Sequence, residues 1–361
     1  MGTKMYVDGD DLTSVANHIR TKGETSTPLV FPGGFNDAID AIQTGGGGVE
    51  ISDAAYLFYS GHRKALMADL MKSIKNAYNF ERCWDASASS SGLIGTGEFD
   101  MSAITLDDSY VQINFGYAFN GSNGNTDYRN KMSSIKFPNN SSEKKLGYMA
   151  YMCYYCDELL NIDMSEFDGS HISQFGNGFT GCNKLTKAVL PKNTGGSTSS
   201  CSAEGMFRYC TALTDISFPE GANFGNVMNM FGGCTSIEEI DFSNCRFRNA
   251  SSYYQQSICS GCTSLKRIAF PSTYFAVGIQ GYTFQNCTAL EEVIIPFSNA
   301  NVIQLNTSAF TGSGIASGNG LIYVNDNAVN DYKAATNWST YASQIKGISE
   351  HPDPWWASAQ A

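Results

Sequence analysis

The 361-residue chain sets 23 Lys and Arg against 34 Asp and Glu, a formal charge of 23 − 34 = −11, with charged residues at only 16% and 36 glycines. A helical bundle would need more Glu, Lys and Ala, and so large an acidic excess excludes a nucleic-acid backbone as partner. No apolar run approaches the roughly 18 residues that span a bilayer, so membrane insertion is not expected. The first ten residues hold no hydrophobic stretch of the kind a signal peptide needs, which places assembly in a cytoplasm.

In chain order, residues 1–48 read as a small helical module closed by a glycine linker. Asp11 caps a helix with Leu12, Val15, Ala16 and Ile19 on one face. A second helix, after Phe31-Pro-Gly-Gly, carries Phe35, Ala38, Ile39 and Ile42, before Thr44 and four glycines break the chain. So little apolar surface does not stabilise a free domain, so residues 9–43 are expected to dock on a partner. Residues 49–115 read as a cap: a helix over 62–76, with Leu66, Met67, Leu70, Met71 and Ile74 on one face, covers the first coil of the region that begins at residue 116. Residues 87–97 are Ser- and Gly-rich and read as a loop.

From residue 116 the pattern changes to a repeat. Aligned on Cys156, Cys182, Cys210, Cys234, Cys262 and Cys287, each unit reads Cys-x-x-Leu/Ile-x-x-apolar-x-apolar. The leucine column is Leu159, Leu185, Leu213, Ile237, Leu265 and Leu290; Ile162, Ala188, Ile216, Ile240, Ile268 and Val293 come next, then Met164, Leu190, Phe218, Phe242, Phe270 and Ile295. Three residues before the cysteine stand Cys153, Phe179, Phe207, Phe231, Cys259 and Phe284. The steps between cysteines are 26, 28, 24, 28 and 25 residues, so length drifts while the apolar columns hold. That behaviour predicts a solenoid in which each coil buries its columns against its neighbours and gives one short strand to a parallel sheet. Degenerate units flank the series, with Phe119 and Ile135 before it and Phe310, with Ser313 in the cysteine position, after it.

Met-Phe-Arg-Tyr-Cys-Thr-Ala-Leu-Thr-Asp-Ile-Ser-Phe-Pro (206–219) and Phe-Gln-Asn-Cys-Thr-Ala-Leu-Glu-Glu-Val-Ile-Ile-Pro (284–296) resemble BspA-like leucine-rich repeats. The resemblance implies an α/β leucine-rich-repeat solenoid used to bind proteins or surfaces, with no catalytic residues to carry over. Residues 55–63 resemble the entry segment of such proteins. Residues 321–342 resemble their closing segment, so 321–361 reads as a last strand, a capping helix and a tail behind repeats 116–320. The pattern of residues 11–22 and 29–42 is similar to a segment of structural and tail-associated proteins of phages infecting Gram-positive gut bacteria, which implies virion partners through residues 9–43.

Residue types that could carry chemistry fall largely within the repeat frame. The pairs Cys153/Cys156 and Cys259/Cys262 have zinc-half spacing, but in both the second cysteine is the register residue and the first replaces the column phenylalanine, so no metal is expected. Gly176-Asn-Gly-Phe-Thr-Gly181 has dinucleotide-loop spacing but falls on the repeat turns, so no cofactor is expected. The histidines His18, His62, His171 and His351 are scattered, and Cys83, Cys201 and Cys245 lie outside the register.

Outward positions on the strands give the candidate ligand-binding residues Asn161, Asp163, Lys187, Asp215, Glu239, Asp241, Arg267 and Glu292. Glu239 and Asp241, with Asp215 one coil away, have the spacing of glycosidase acids; a solvated acidic face is the favoured reading, and no enzyme is expected. Tyr154, Tyr155 and Tyr209 either join that surface or pack between coils. The Trp355-Trp356 tail either folds back or, the favoured expectation, inserts into a neighbouring subunit of a homo-oligomer. The function expected is a phage virion protein that recognises a host surface protein or glycan; the alternatives are a bacterial cell-surface adhesin and a polysaccharide-cleaving fibre.

Overall fold

The computed structural model describes residues 51–59, 67–87, 94–108, 112–122, 124, 126–196, 200–248, 255–272, 278–297 and 302–356. The expected helices within 9–43, the glycine linker and the start of the 62–76 helix lie outside these residues. Every strand pairing among the described residues is parallel, as one strand per coil of a solenoid requires.

At the N-terminal end β1 (Ile51–Asp53) pairs with β2 (Ile74–Asn79), and a short helix α1 (Met67–Ser73) leads into β2. Ile74, expected on the helix, instead opens β2 opposite Ile51 and is fully buried, because a β-branched residue is favoured on a pleated surface. Next, β3 (Gly97–Asp100) pairs with β4 (Met132–Lys136), which contains Ile135 of the degenerate first unit.

The register units come after these. Strands β5 (Asn161–Asp163), β6 (Lys187–Val189) and β8 (Asp215–Ser217) form one three-stranded sheet, with β7 (Cys201–Ser202) on a separate wall. That second wall is completed by β9 (Asn223–Asn226) and β11 (Arg246–Phe247). Strands β10 (Glu239–Asp241), β12 (Arg267–Ala269), β13 (Glu292–Ile295), β14 (Leu321–Val324) and β15 (Ile345–Gly347) form a five-stranded sheet in that order. The expected parallel sheet is therefore present in two pieces, broken between β8 and β10. The break falls at the shortest step, from Cys210 to Cys234. There Ile216 and Phe218 are only half-buried, whereas Ile240 and Phe242 in the next coil are fully buried.

The wall opposite is built of turns. In the coil of residues 149–159 the N–H groups of Met152, Tyr154, Cys156 and Leu159 each donate to the carbonyl three residues back, at 3.1–3.3 Å. The Cys-x-x-Leu spacing is thus a closed turn. The alternate N–H groups of Met149, Tyr151, Cys153 and Tyr155 point along the axis, to the carbonyls of Gln174, Gly176, Gly178 and Thr180 in the next coil at 2.7–3.0 Å. The same axial bond joins Phe58 to Cys83, Trp84 to Ala118 and Phe119 to Met152, so the repeat geometry reaches back to Phe58.

Behind this wall the column rings stack. Phe179 and Phe207 lie 5.4 Å apart at 11°, Phe207 and Phe231 5.5 Å apart at 12°, and Phe284 and Phe310 5.3 Å apart at 9°. Trp84 stacks on Phe119 in the same way, at 5.1 Å and 4°. Unlike the sheet, this stack runs through the Cys210–Cys234 step without interruption. At the C-terminal end a helix α2 (Val329–Ala334) follows β14. Trp338 is fully buried there and donates its indole N–H to the Ile303 carbonyl at 2.8 Å, closing the open end of the core.

Candidate functional site

The register cysteines are all buried and unbridged. Each also makes one bond that their spacing does not reveal. The thiol of Cys156 donates to the Phe119 carbonyl at 3.2 Å, Cys182 to Cys153 at 3.0 Å, Cys210 to Phe179 at 3.1 Å, Cys234 to Phe207 at 3.0 Å, Cys262 to Phe231 at 3.1 Å and Cys287 to Cys259 at 3.0 Å. The acceptor is always the column residue of the coil before. Burial pushes the thiols of Cys156, Cys182, Cys210 and Cys234 well above the ordinary cysteine range, which keeps the proton that makes the bond. Cys83, Cys201 and Cys245 are likewise buried, with thiols pushed up by the same loss of water. Among the described residues no group of three or more His, Cys, Asp or Glu is placed to hold a metal ion, and no helix is long and apolar enough to cross a membrane.

The candidate strand residues fall into two patches. In the first, Asn161, Lys187 and Asp215 stand abreast across β5, β6 and β8, with Asp163 two residues on. Lys187 Nζ lies 2.9 Å from Asp215 Oδ2, and Asp163 Oδ1 accepts from the Ser165 N–H at 2.9 Å. In the second, Glu239, Arg267 and Glu292 stand abreast across β10, β12 and β13. Arg267 Nη2 lies 2.5 Å from Glu239 Oε2, and Asp241 Oδ1 accepts from the Ser243 N–H at 2.8 Å. The sheet break separates Asp215 from Glu239, so the expected acid cluster is divided and each of its carboxylates is engaged by a cation or a turn amide. Ser170 Oγ contacts both Asp168 Oδ2 and His171 Nδ1 at 2.9 Å, but the carboxylate here holds the serine and not the histidine, the reverse of a nucleophilic triad.

The second patch is partly overlaid. Residues 351–356 fold back over β12, β13 and β14, contrary to the expected insertion into a neighbour, because Ala269, Ile294 and Tyr323 form an outward apolar row that Trp356 buries. Trp355 lies against Arg267, 4.9 Å from guanidinium carbon to ring centre, and its indole N–H donates to Glu292 Oε2 at 3.3 Å. His351 sits between Tyr323 and Trp356, with ring centres 4.5 and 4.7 Å away. Arg267 and Glu292 are therefore partners of the tail.

Tyr154, Tyr155 and Tyr209 belong to the turn wall and not to the strand face. Tyr117 and Tyr151 stack at 4.8 Å and 8°, and Tyr151–Tyr154 and Tyr154–Tyr155 meet edge to face at 5.2 and 4.7 Å. Arg82 lies over Tyr117 at 4.3 Å, Arg129 over Tyr155 at 4.9 Å and Arg208 over Tyr209 at 4.7 Å. Tyr56, Tyr117, Tyr148 and Tyr151 are additions to the residues that the sequence singles out. A signal for three of them exists: Tyr56, Tyr117 and Tyr151 all stand two residues before the ring column formed by Phe58, Phe119 and Cys153.

The BspA type leucine rich repeat region, in six copies, matches residues 97–224, 126–257 and 203–316. The chain belongs to that family. Among solved structures, this BspA-type chain is similar to the pneumococcal vaccine antigen PcpA at 12% identity and a TM-score of 0.34, over 76% of this chain and 57% of that one. It is also similar to a leucine rich cell surface protein from Faecalibacterium prausnitzii at 18% identity and a TM-score of 0.30, over 66% of this chain and 61% of that one. It spans less than two thirds of the length of either. No curated protein sequence matches it.

Proposed function

We propose that this BspA-type repeat protein is a surface-displayed recognition protein whose solenoid binds a protein or glycan and performs no catalysis. The observation that carries the reading is the distribution of chemistry: the register thiols and rings are engaged inside, and the solvent-facing walls present ion pairs, amides and tyrosines in coil-spaced rows. Such rows suit a ligand that contacts several coils at once. The surface is that of a bacterial cell. A phage particle is the second reading, favoured by the pattern of residues 11–22 and 29–42. Trypsin treatment of intact producing cells tests this directly. Loss of the full-length chain from unlysed cells is the expected result; a protected chain that sediments with phage particles supports the second reading, and a protected chain in the soluble lysate refutes both.

A further inference from the structure

Two positions recur along the turn wall with left-handed backbone in most coils, two residues before and two after the ring column. Most coils fill them with residues that tolerate φ > 0: Asn177, Gly205 and Asn229 in the first, Gly181, Gly233, Gly261, Asn286 and Gly312 in the second. Six tyrosines occupy the same positions, five of them in the coils up to Phe207: Tyr56 (φ 57°), Tyr117 (55°), Tyr151 (57°), Tyr155 (54°) and Tyr209 (61°), with Tyr282 (59°) farther on; Arg82 (51°) and Ser257 (56°) also stand there. A bulky ring is disfavoured in this conformation, and the backbone needs nothing that Gly or Asn would not supply. Bulky rings held in this conformation repeatedly along one wall mark a candidate functional surface.

The rings are also placed for contact. A Cβ on Gly181 would strike the Tyr155 ring at 2.6 Å, and one on Gly233 the Tyr209 ring at 2.7 Å, so each tyrosine lies against a glycine of the next coil. A Cβ on Gly116 would strike the ring of Tyr148 at 2.4 Å. Tyr56, Tyr148 and Tyr209 nevertheless remain 44%, 38% and 43% exposed. From Tyr56 to Tyr209 the strip crosses five coil steps, about 24 Å at about 4.8 Å per coil.

The shape and chemistry of the strip select the ligand. It is long and a single turn wide, so it fits a linear polymer better than the broad face of a folded protein. An extended peptide would seek main-chain partners, but the alternate N–H groups of this wall are already bonded along the axis. An anionic polymer would seek a row of unbalanced cations, yet Arg82 is paired with Asp85 at 2.6 Å and Arg129 with Asp157 at 2.7 Å, and Arg208 donates to the Tyr209 hydroxyl at 2.9 Å. We infer that the tyrosine strip of the turn wall binds a neutral polysaccharide laid along the solenoid axis, its sugar rings against the tyrosine rings and its hydroxyls bonded to the phenol groups. The inference rests on the recognition reading above and names its ligand class.

Native gel electrophoresis of the full chain through laminarin, xylan, mannan or dextran tests it, with polygalacturonate as the anionic control. The expected result is retardation by at least one neutral polymer, weakened at least tenfold in the Tyr151→Asn/Tyr209→Asn double variant. Asn suits the left-handed backbone, so an unchanged or raised thermal midpoint shows that the variant is folded. Tyr209→Phe keeps the ring and separates stacking from hydroxyl bonding. Asp100→Asn, in an exposed ion pair outside both candidate patches, leaves retardation as in the wild type, and Asp215→Asn and Glu239→Gln are the strand-face variants. Mobility unaffected by every neutral polymer, retardation by polygalacturonate alone, or full binding by the double variant overturns the proposal. Binding lost in the strand-face variants but kept in the tyrosine variant overturns the strip while leaving recognition by the solenoid intact.

Discussion

The turn wall and the strand wall are built by the same coils yet tolerate length variation differently. On the turn wall each register coil presents alternate amides along the axis, a column side chain and a thiol from one compact run of turns, so stacking is set within that run. The Phe179–Phe207–Phe231 stack and the Cys234–Phe207 bond accordingly pass through the 24-residue step unchanged. On the strand wall only three or four residues per coil take part; they begin five residues after the register cysteine in all six units, and the variable length follows them, before the turn run of the next coil. One short step is enough to divide the sheet between β8 and β10. Continuity of the solenoid therefore resides in the turns, and the strand wall is left as the variable surface, open in one half and overlaid by the tail in the other.

Substitutions that strike one wall at a time break or sharpen this comparison. Phe207→Ala removes the middle ring of the stack and is expected to cost about 3–5 kcal/mol, read as a lowered midpoint in chemical denaturation. On the strand wall, Ile240→Ala is expected to cost about 2–4 kcal/mol, and Ile216→Ala, beside the break and only half-buried, less than half as much. Equal losses at the two isoleucines in the same denaturation series would show that the sheet break does not loosen the core. Cys234→Ala removes the thiol bond to Phe207 and is expected to cost about 1–2 kcal/mol, measured by the same method.

The smallest effect belongs to an exposed strand contact. Hydrogen bonds from Ser102 and Lys136 hold the Asp100 carboxyl down to about 2. A carboxyl lowered on folding stabilises the protein above its unfolded value near 4 and loses that contribution as pH falls from about 4 to 2. In Asp100→Asn the stability curve should be flatter across that window, with a small loss relative to the wild type at pH 7 that vanishes towards pH 2, as followed by circular dichroism in chemical denaturation at each pH.

The solenoid is legible in the sequence because its inner columns are strict: Cys, Leu and ring positions recur even where spacing drifts, and the same periodicity places Ile135 and Phe310. The thiol bonds are not legible, since a cysteine filling space and a cysteine donating to a carbonyl leave the same letter. The sheet break depends on how a short connection crosses the coil, which the apolar pattern does not encode. The tail misleads because two tryptophans beside two prolines suit a foreign groove as well as the chain's own. What decides the matter is the outward apolar row Ala269–Ile294–Tyr323, visible only once three strands lie side by side. Alternation marks outward positions on the strands and so draws the search for binding residues there, while the tyrosines of the turn wall are displayed by backbone dihedrals that spacing does not reveal.

The register sulfhydryl always reaches backwards, to the carbonyl of the preceding rung. A rung excised whole therefore removes one donor and one acceptor and leaves a matching pair at the seam, and a duplicated rung inserts the same complement. Recombination within the gene can thus lengthen or shorten the array with no retailoring of its interior, while the outer rows that touch the environment vary from rung to rung.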